Sequence, residues 1–182
     1  MDESDFEREQ YQLAVHEAGH IITAWSQGWD VEHVSLFAEQ ESNARTLIIP
    51  SARESTFNNV APIVAQCRSL EKRIRICFGG PIAEGRFAGN ATHLVAAHGD
   101  FQEGVLLLRN VETYEEREKI GDFLFKQTQQ LVRRRWKDIG LLATKLVASG
   151  ELVSEEIEAT IGPRSLEFLS RTSSNTIFPV KA

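Results

Sequence analysis

Apolar positions recur at spacings of three and four over most of this chain, a helical pattern interrupted by one short extended region. Ser4 followed by Glu7 reads as a capping box, and Asp5 adds negative charge to the first turn, so a helix is expected from near Asp5 to about Gln27. Gly28 suits its C-cap. Two extended segments, residues 31–37 and 45–49, flank a polar stretch containing Ser42 and Asn43 and predict a β-hairpin. Pro50 ends the second strand or marks it as an edge. After a polar loop over residues 51–59, Val64, Cys67, Leu70, Ile74 and Cys77 recur at helical spacing. Gly79-Gly80-Pro81 is expected to break or kink that helix, with Pro81 opening a short helix through Ile82, Ala83 and Phe87.

A loop over residues 89–99 leads to a helix over residues 100–109. From Glu112 onward the pattern is helical throughout. One long helix runs to about Arg135 with Ile120, Leu124 and Leu131 facing inward, and a second covers residues 139–147. A third starts at the N-cap Ser154, with Glu155 and Glu156 in its first turn, and stops at Gly162-Pro163. The fold class is therefore mainly α (α+β), a single helical domain over residues 1–162 with a small hairpin, followed by a tail over residues 163–182 without a clear pattern.

Composition narrows the class. A chain of 182 residues with 42% hydrophobic and 25% charged residues buries a core without staples. Its net charge of -6 argues against a general nucleic-acid binder. The one basic run, Arg133-Arg134-Arg135, falls late in a predicted helix, where cations complement the helix dipole. Cys67 and Cys77 form no CxxC pair and fall on an apolar stripe, as buried free thiols do. An acidic start without an apolar core and the lack of any stretch near the roughly 20 apolar residues of a membrane span predict a cytoplasmic protein.

The sharpest chemical signal lies in the first helix. His16-Glu17-Ala18-Gly19-His20 places two histidines four apart, so both imidazoles leave one face of a helix one turn apart. That spacing suits two neutral imidazoles reaching one zinc ion at about 2.0–2.1 Å. Glu17, beside His16, lies to one side of the metal, where it can act as general base on a metal-activated water. Five histidines and 26 acids in 182 residues give this pattern by chance roughly 0.02 times per chain, even counting Asp as Glu. Ala18 and Gly19 are small and let another backbone approach closely.

A catalytic zinc needs a third protein ligand. Thr23 and Ser26 stand where the metzincin pattern requires Gly and His, which excludes that class. Glu39 and Glu41 are near the distance a thermolysin-like site requires, but they fall in the predicted hairpin turn. Glu84, His93, His98, Asp100 and Glu103 remain as candidates.

Ala14-Val15-His16-Glu17-Ala18-Gly19-His20 resembles the peptidase domain of the FtsH-type, AAA-coupled zinc proteases. Gly79-Gly80-Pro81-Ile82-Ala83-Glu84 is similar to that family's second motif, and His98-Gly99-Asp100-Phe101 falls where the family carries its aspartate ligand. The helical second half, with Leu152-Val153-Ser154-Glu155-Glu156, also resembles the family, so the likeness spans roughly residues 5–161. It implies a zincin-like peptidase domain with one Zn2+ per chain, held by His16, His20 and Asp100, with the hairpin beside the metal-binding helix. It also implies Glu84 as acceptor for the free N–H of a ligand histidine, Glu17 as catalytic base, and unfolded or flexible polypeptides as substrate. Pro81 and Gly85 depart from the family's arginine and second glutamate, and Leu94-Val95-Ala96-Ala97 replaces its lead-in to the aspartate.

A Walker A loop is not in this sequence, so an ATPase or adaptor would be a separate partner, and oligomeric state is left open. The expected edge strand for a peptide laid on as an added strand is Arg45, Thr46, Leu47, Ile48 and Ile49. His33, His93 and His98 are expected in structural or solvated roles. His98 stands close enough in sequence to replace Asp100, and His93 is a candidate oxyanion partner. Two other functions compete with proteolysis: a zinc-binding scaffold or regulatory partner with little or no protease activity, and a hydrolase of small amides.

Overall fold

Helix α1 (Glu3–Trp25) is the axis on which the other elements pack. In the computed structural model, which describes residues 3–36, 45–49, 62–89, 99–110 and 113–164, every residue from 14 to 26 is buried. A helix buried all round must be enclosed by partners on every side. Those partners are α2 (Pro62–Ala88), α4 (Tyr114–Arg134), α5 (Trp136–Ser149) and the strands β1 (Asp30–Ser35) and β2 (Arg45–Ile49). The helix begins at Glu3, two residues ahead of expectation, with Ser4 inside its first turn. It ends in a Schellman arrangement: Gly28 has φ 76°, the Gly28 N–H donates to Trp25 O at 3.1 Å, and the Trp29 N–H donates to Ala24 O at 3.0 Å.

The sheet has three strands in the order β2-β1-β3, all antiparallel, so the expected hairpin is present and a third strand, β3 (Glu151–Val153), joins its other side. A bulge between Val31 and His33 shifts the β1–β2 register. β2 is an outer strand, paired only with β1 among the described residues. Within β1, Val31 and Val34 are buried against the helical core. His33 faces outward, where its Nε2 stands 3.0 Å from Glu151 Oε2.

Helix α2 overturns the expected break and the separate short helix opening at Pro81. Gly79-Gly80-Pro81 neither ends nor splits it; the helix is continuous past all three. Proline removes one backbone donor and crowds the preceding turn, but tertiary packing outweighs propensity here. A Cβ on Gly19 would fall against Gly79 O and lie 2.7 Å from Ala83 Cβ, and a Cβ on Gly79 would fall against Thr23 Oγ1 and lie 2.7 Å from Gly19 O. The two backbones touch, so the glycines serve close approach between helices, as Gly19 promised from its neighbourhood in the motif.

Beyond α2, α3 (Gly99–Leu107) packs against it and continues into a 3-10 turn at Leu108–Asn110. The N-cap of α4 is Thr113, whose hydroxyl accepts from the Glu116 N–H. Ile120, Leu124, Thr128, Leu131 and Val132 form its buried stripe. Arg133 and Arg134 lie in its last turn as the dipole argument expects, and Arg135 Nε pairs with Asp138 Oδ2 at 2.7 Å. Helix α6 (Ser154–Ile161) is capped by Glu156, which accepts from the Val153 N–H at 3.1 Å, so Ser154 is its first turn and not its cap. Its end is tied back to α1 and β1: Trp25 Nε1 donates to Gly162 O at 3.0 Å, and Arg164 pairs with Asp30. No helix among the described residues is long and apolar enough to cross a membrane.

The glycine contact is directly testable. Gly19→Val should lower stability by about 1–3 kcal/mol through overpacking, read as a lower urea midpoint at unchanged slope. A midpoint equal to that of the unmodified protein would mean that the helices do not touch there.

Candidate metal centre

His16, Glu17 and His20 lie in the enclosed part of α1, only 6%, 5% and 8% exposed. Polar groups so placed are costly unless each finds a partner. The histidines' partners come from α2 and α3. His16 Nδ1 stands 2.8 Å from Glu84 Oε2, on the last turns of α2. His20 Nδ1 stands 2.8 Å from the main-chain oxygen of Ile76, two turns earlier on the same helix. Both acceptors lack a proton to give, so each Nδ1 carries the hydrogen and donates it. Each neutral ring therefore presents a bare Nε2.

Those two Nε2 atoms converge. They are 3.0 Å apart, with the rings at 70° to each other. Asp100 Oδ2, from the first turn of α3, lies 3.1 Å from His16 Nε2 and 3.4 Å from His20 Nε2. Asp100 thus combines a position at a helix N-terminus with a carboxylate turned onto the histidines. Its side chain is 44% exposed, so the cluster opens to solvent on that side.

Three lone-pair atoms facing one another repel unless a cation stands among them. The fit to a metal can be tested on these distances. Ligands at about 2.0–2.1 Å from one tetrahedral zinc stand about 3.3 Å from each other. The observed separations, 3.0, 3.1 and 3.4 Å, are close to that triangle. His16, His20 and Asp100 are also the group of described residues able to hold a metal ion. Two imidazoles and one carboxylate are a donor set suited to zinc that leaves a fourth position open.

The same convergence governs protonation of the metal-free chain. Burial opposes a charge on His16, but hydrogen bonds to Asp100 and Glu84, with the nearby Glu17 carboxylate, push its pKa from 6.5 up to about 9. Hydrogen bonds from His16 and His20 hold the Asp100 carboxyl well below the usual carboxylate range. Without metal, a proton on His16 supplies the positive charge that the triangle requires.

Glu84 is held from a second direction. Gln12, one turn before His16 on α1, donates from Nε2 to Glu84 Oε1 at 2.8 Å. One carboxylate oxygen thus takes the histidine and the other takes the amide. Gln12 and the Ile76 carbonyl were missed in the sequence. Gln12 stands at i−4 from His16, which is a usable signal; a main-chain oxygen leaves none.

The other sequence candidates divide. Glu103 lies on α3 but pairs with Arg73 at 3.5 Å, away from the histidines. Cys77 is a free, half-buried thiol, which burial and the nearby Glu103 and Asp100 carboxylates push up to about 12. Glu39, Glu41, His93 and His98 lie outside the described residues, as do the side chains of Cys67 and of the strand formed by Arg45, Thr46, Leu47, Ile48 and Ile49. No protein-family model matches this chain, and no curated protein matches it.

Two outcomes follow from the geometry. Because the His16 pKa is raised, the ring is protonated in the metal-free chain at pH 7.5, and a metal must displace that proton. Zinc titration at pH 7.5 should therefore release about one proton from His16 per ion bound, measured calorimetrically in buffers of different ionisation enthalpy. Affinity should rise with pH up to about 9 and then level; heats independent of the buffer would contradict this. Separately, Glu84→Ala should weaken zinc binding about 10–100-fold by freeing the His16 ring, while the fold persists by circular dichroism.

Proposed function

We propose that this chain is a zinc-dependent metalloendopeptidase that hydrolyses peptide bonds in unfolded or flexible polypeptides. The observation that carries the reading is the convergence of His16 Nε2, His20 Nε2 and Asp100 Oδ2 beside a buried glutamate on the same helical turn, Glu17. His16, His20 and Asp100 would hold the ion. When bound there, zinc supplies Lewis acidity, which lowers the pKa of water toward about 7 and polarises a carbonyl.

The chain's own residues supply the rest. Glu17, 5% exposed and close enough to His16 to act on its charge, is the general base. It takes a proton from the attacking water and later delivers it to the departing amine. Glu84 and the Ile76 carbonyl fix the tautomers of the two histidines, so both Nε2 atoms stay available. Asp100, on the exposed side, marks where substrate reaches the centre. The outer edge of β2, unpaired among the described residues, offers backbone groups to an extended peptide, which favours binding through the main chain with little sequence preference.

Glu17→Gln removes the base and preserves side-chain size. Cleavage of unfolded casein should fall by about 10²–10⁴-fold while zinc stays near one per chain by metal analysis. Unchanged turnover would remove Glu17 from the mechanism. Full zinc occupancy with no turnover in the unmodified chain would replace this reading with that of a zinc-binding scaffold.

A further inference from the structure

The two imidazoles have a neighbour that none of the preceding roles accounts for. Gly80 lies on α2 one turn after Ile76, whose carbonyl takes the His20 N–H, and one turn before Glu84, which takes the His16 N–H. A Cβ built on Gly80 would fall against His20 Nε2, 2.6 Å from His16 Nε2 and 2.8 Å from His16 Cδ2. Real Cβ atoms essentially never come within 3.0 Å of another group. The methyl of an alanine would therefore occupy the space beside both ligand nitrogens, where an ion held by them must sit.

We infer that Gly80 is a positioning residue of the metal centre: its bare Cα forms the inner wall against which both Nε2 atoms converge, and any side chain there displaces them. The inference rests on reading the His16–His20–Asp100 cluster as a metal site. It differs from the part played by Gly19 and Gly79, whose missing Cβ atoms make room for backbone and for Thr23. At Gly80 the room is kept for the imidazoles themselves. The wall also assigns a direction to the site. Backbone closes the α2 side, and the centre opens where Asp100 is 44% exposed.

A second reason for glycine must be separated from this one. Gly80 precedes Pro81, and a residue with a Cβ before proline is disfavoured in helical conformation. That penalty does not depend on the histidines, so a double-mutant cycle removes it. Gly80→Ala is made in the full-length chain and in the His16→Ala/His20→Ala variant. Metal-free Tm is measured for all four proteins, and zinc affinity for the two that keep the histidines, by competition with a chromogenic chelator.

The expected result is at least a tenfold loss of zinc affinity on Gly80→Ala, with a Tm decrease clearly larger when the histidines are present than when they are absent. Failure of Gly80→Ala to fold alone, with folding restored in the histidine-free variant, gives the same answer. Undiminished zinc affinity overturns the inference while leaving the metal site standing. An equal Tm decrease in both backgrounds, or failure to fold in both, assigns the glycine to the proline junction and overturns it as well. Absence of zinc binding by the unmodified chain overturns the metal reading itself, and the inference with it.

Discussion

The contact between Gly19 on α1 and Gly79 on α2 sets the distance on which the rest of the centre depends. With backbone against backbone there, the next turns of α2 come within hydrogen-bond reach of α1. The Ile76 carbonyl then meets His20, and Glu84 meets His16 and Gln12. Were the helices separated by ordinary side chains, at the usual 8–10 Å between axes, these short bonds would have to span water or longer groups. The close approach also explains why α2 continues through a Gly-Gly-Pro sequence that would end many helices. The packing of two enclosed helices is worth more than the lost donor and the unfavourable propensities.

Charge is arranged around that scaffold with the same economy. The enclosed turn of α1 carries two bases and an acid, and each histidine is committed on one nitrogen to a fixed acceptor. What remains is a set of lone pairs directed at a single point, completed by a carboxylate from α3. Such a set is strained in its neutral form and is relieved by a proton or a metal ion. In the proposed metal site an ion and a proton would therefore be alternatives at one location, and Glu84 favours positive charge on His16.

Much of this was legible in the sequence, for reasons that differ by residue. His16, Glu17 and His20 fall within five positions, so helical periodicity alone relates them. Asp100 is 84 positions from His16, and only the likeness to a known family singled it out among the acids and histidines of the second half. The long amphipathic stretches gave α4 and α5 with few errors, because each buries a continuous stripe. The failures have physical causes. β3 is three residues long, too short to show alternation, and exists because β1 offers it an edge. The unbroken α2 depends on a neighbour that local propensity does not represent. In the sequence Gly80 reads as a helix breaker and as part of the family-like second motif, since its relation to the imidazoles is a property of the fold.

Gln12, His16 and His20 recur every fourth residue along one strip of α1, and Thr23 adds a hydroxyl bonded to Gly19 O near its end. Each meets a fixed point on α2 or its own helix. This makes the helix a keyed part, held in rotational phase as well as in place. Adding or removing one residue turns everything beyond it by about 100°. A change of length between Gln12 and His16 would thus turn both histidines out of phase with Gln12, and one between His16 and His20 would part the two imidazoles, whatever residue was inserted. The outward positions before Gln12 carry no such phase requirement. The segment should accordingly drift in composition over its exposed first turns yet keep a constant count of residues from Gln12 to His20.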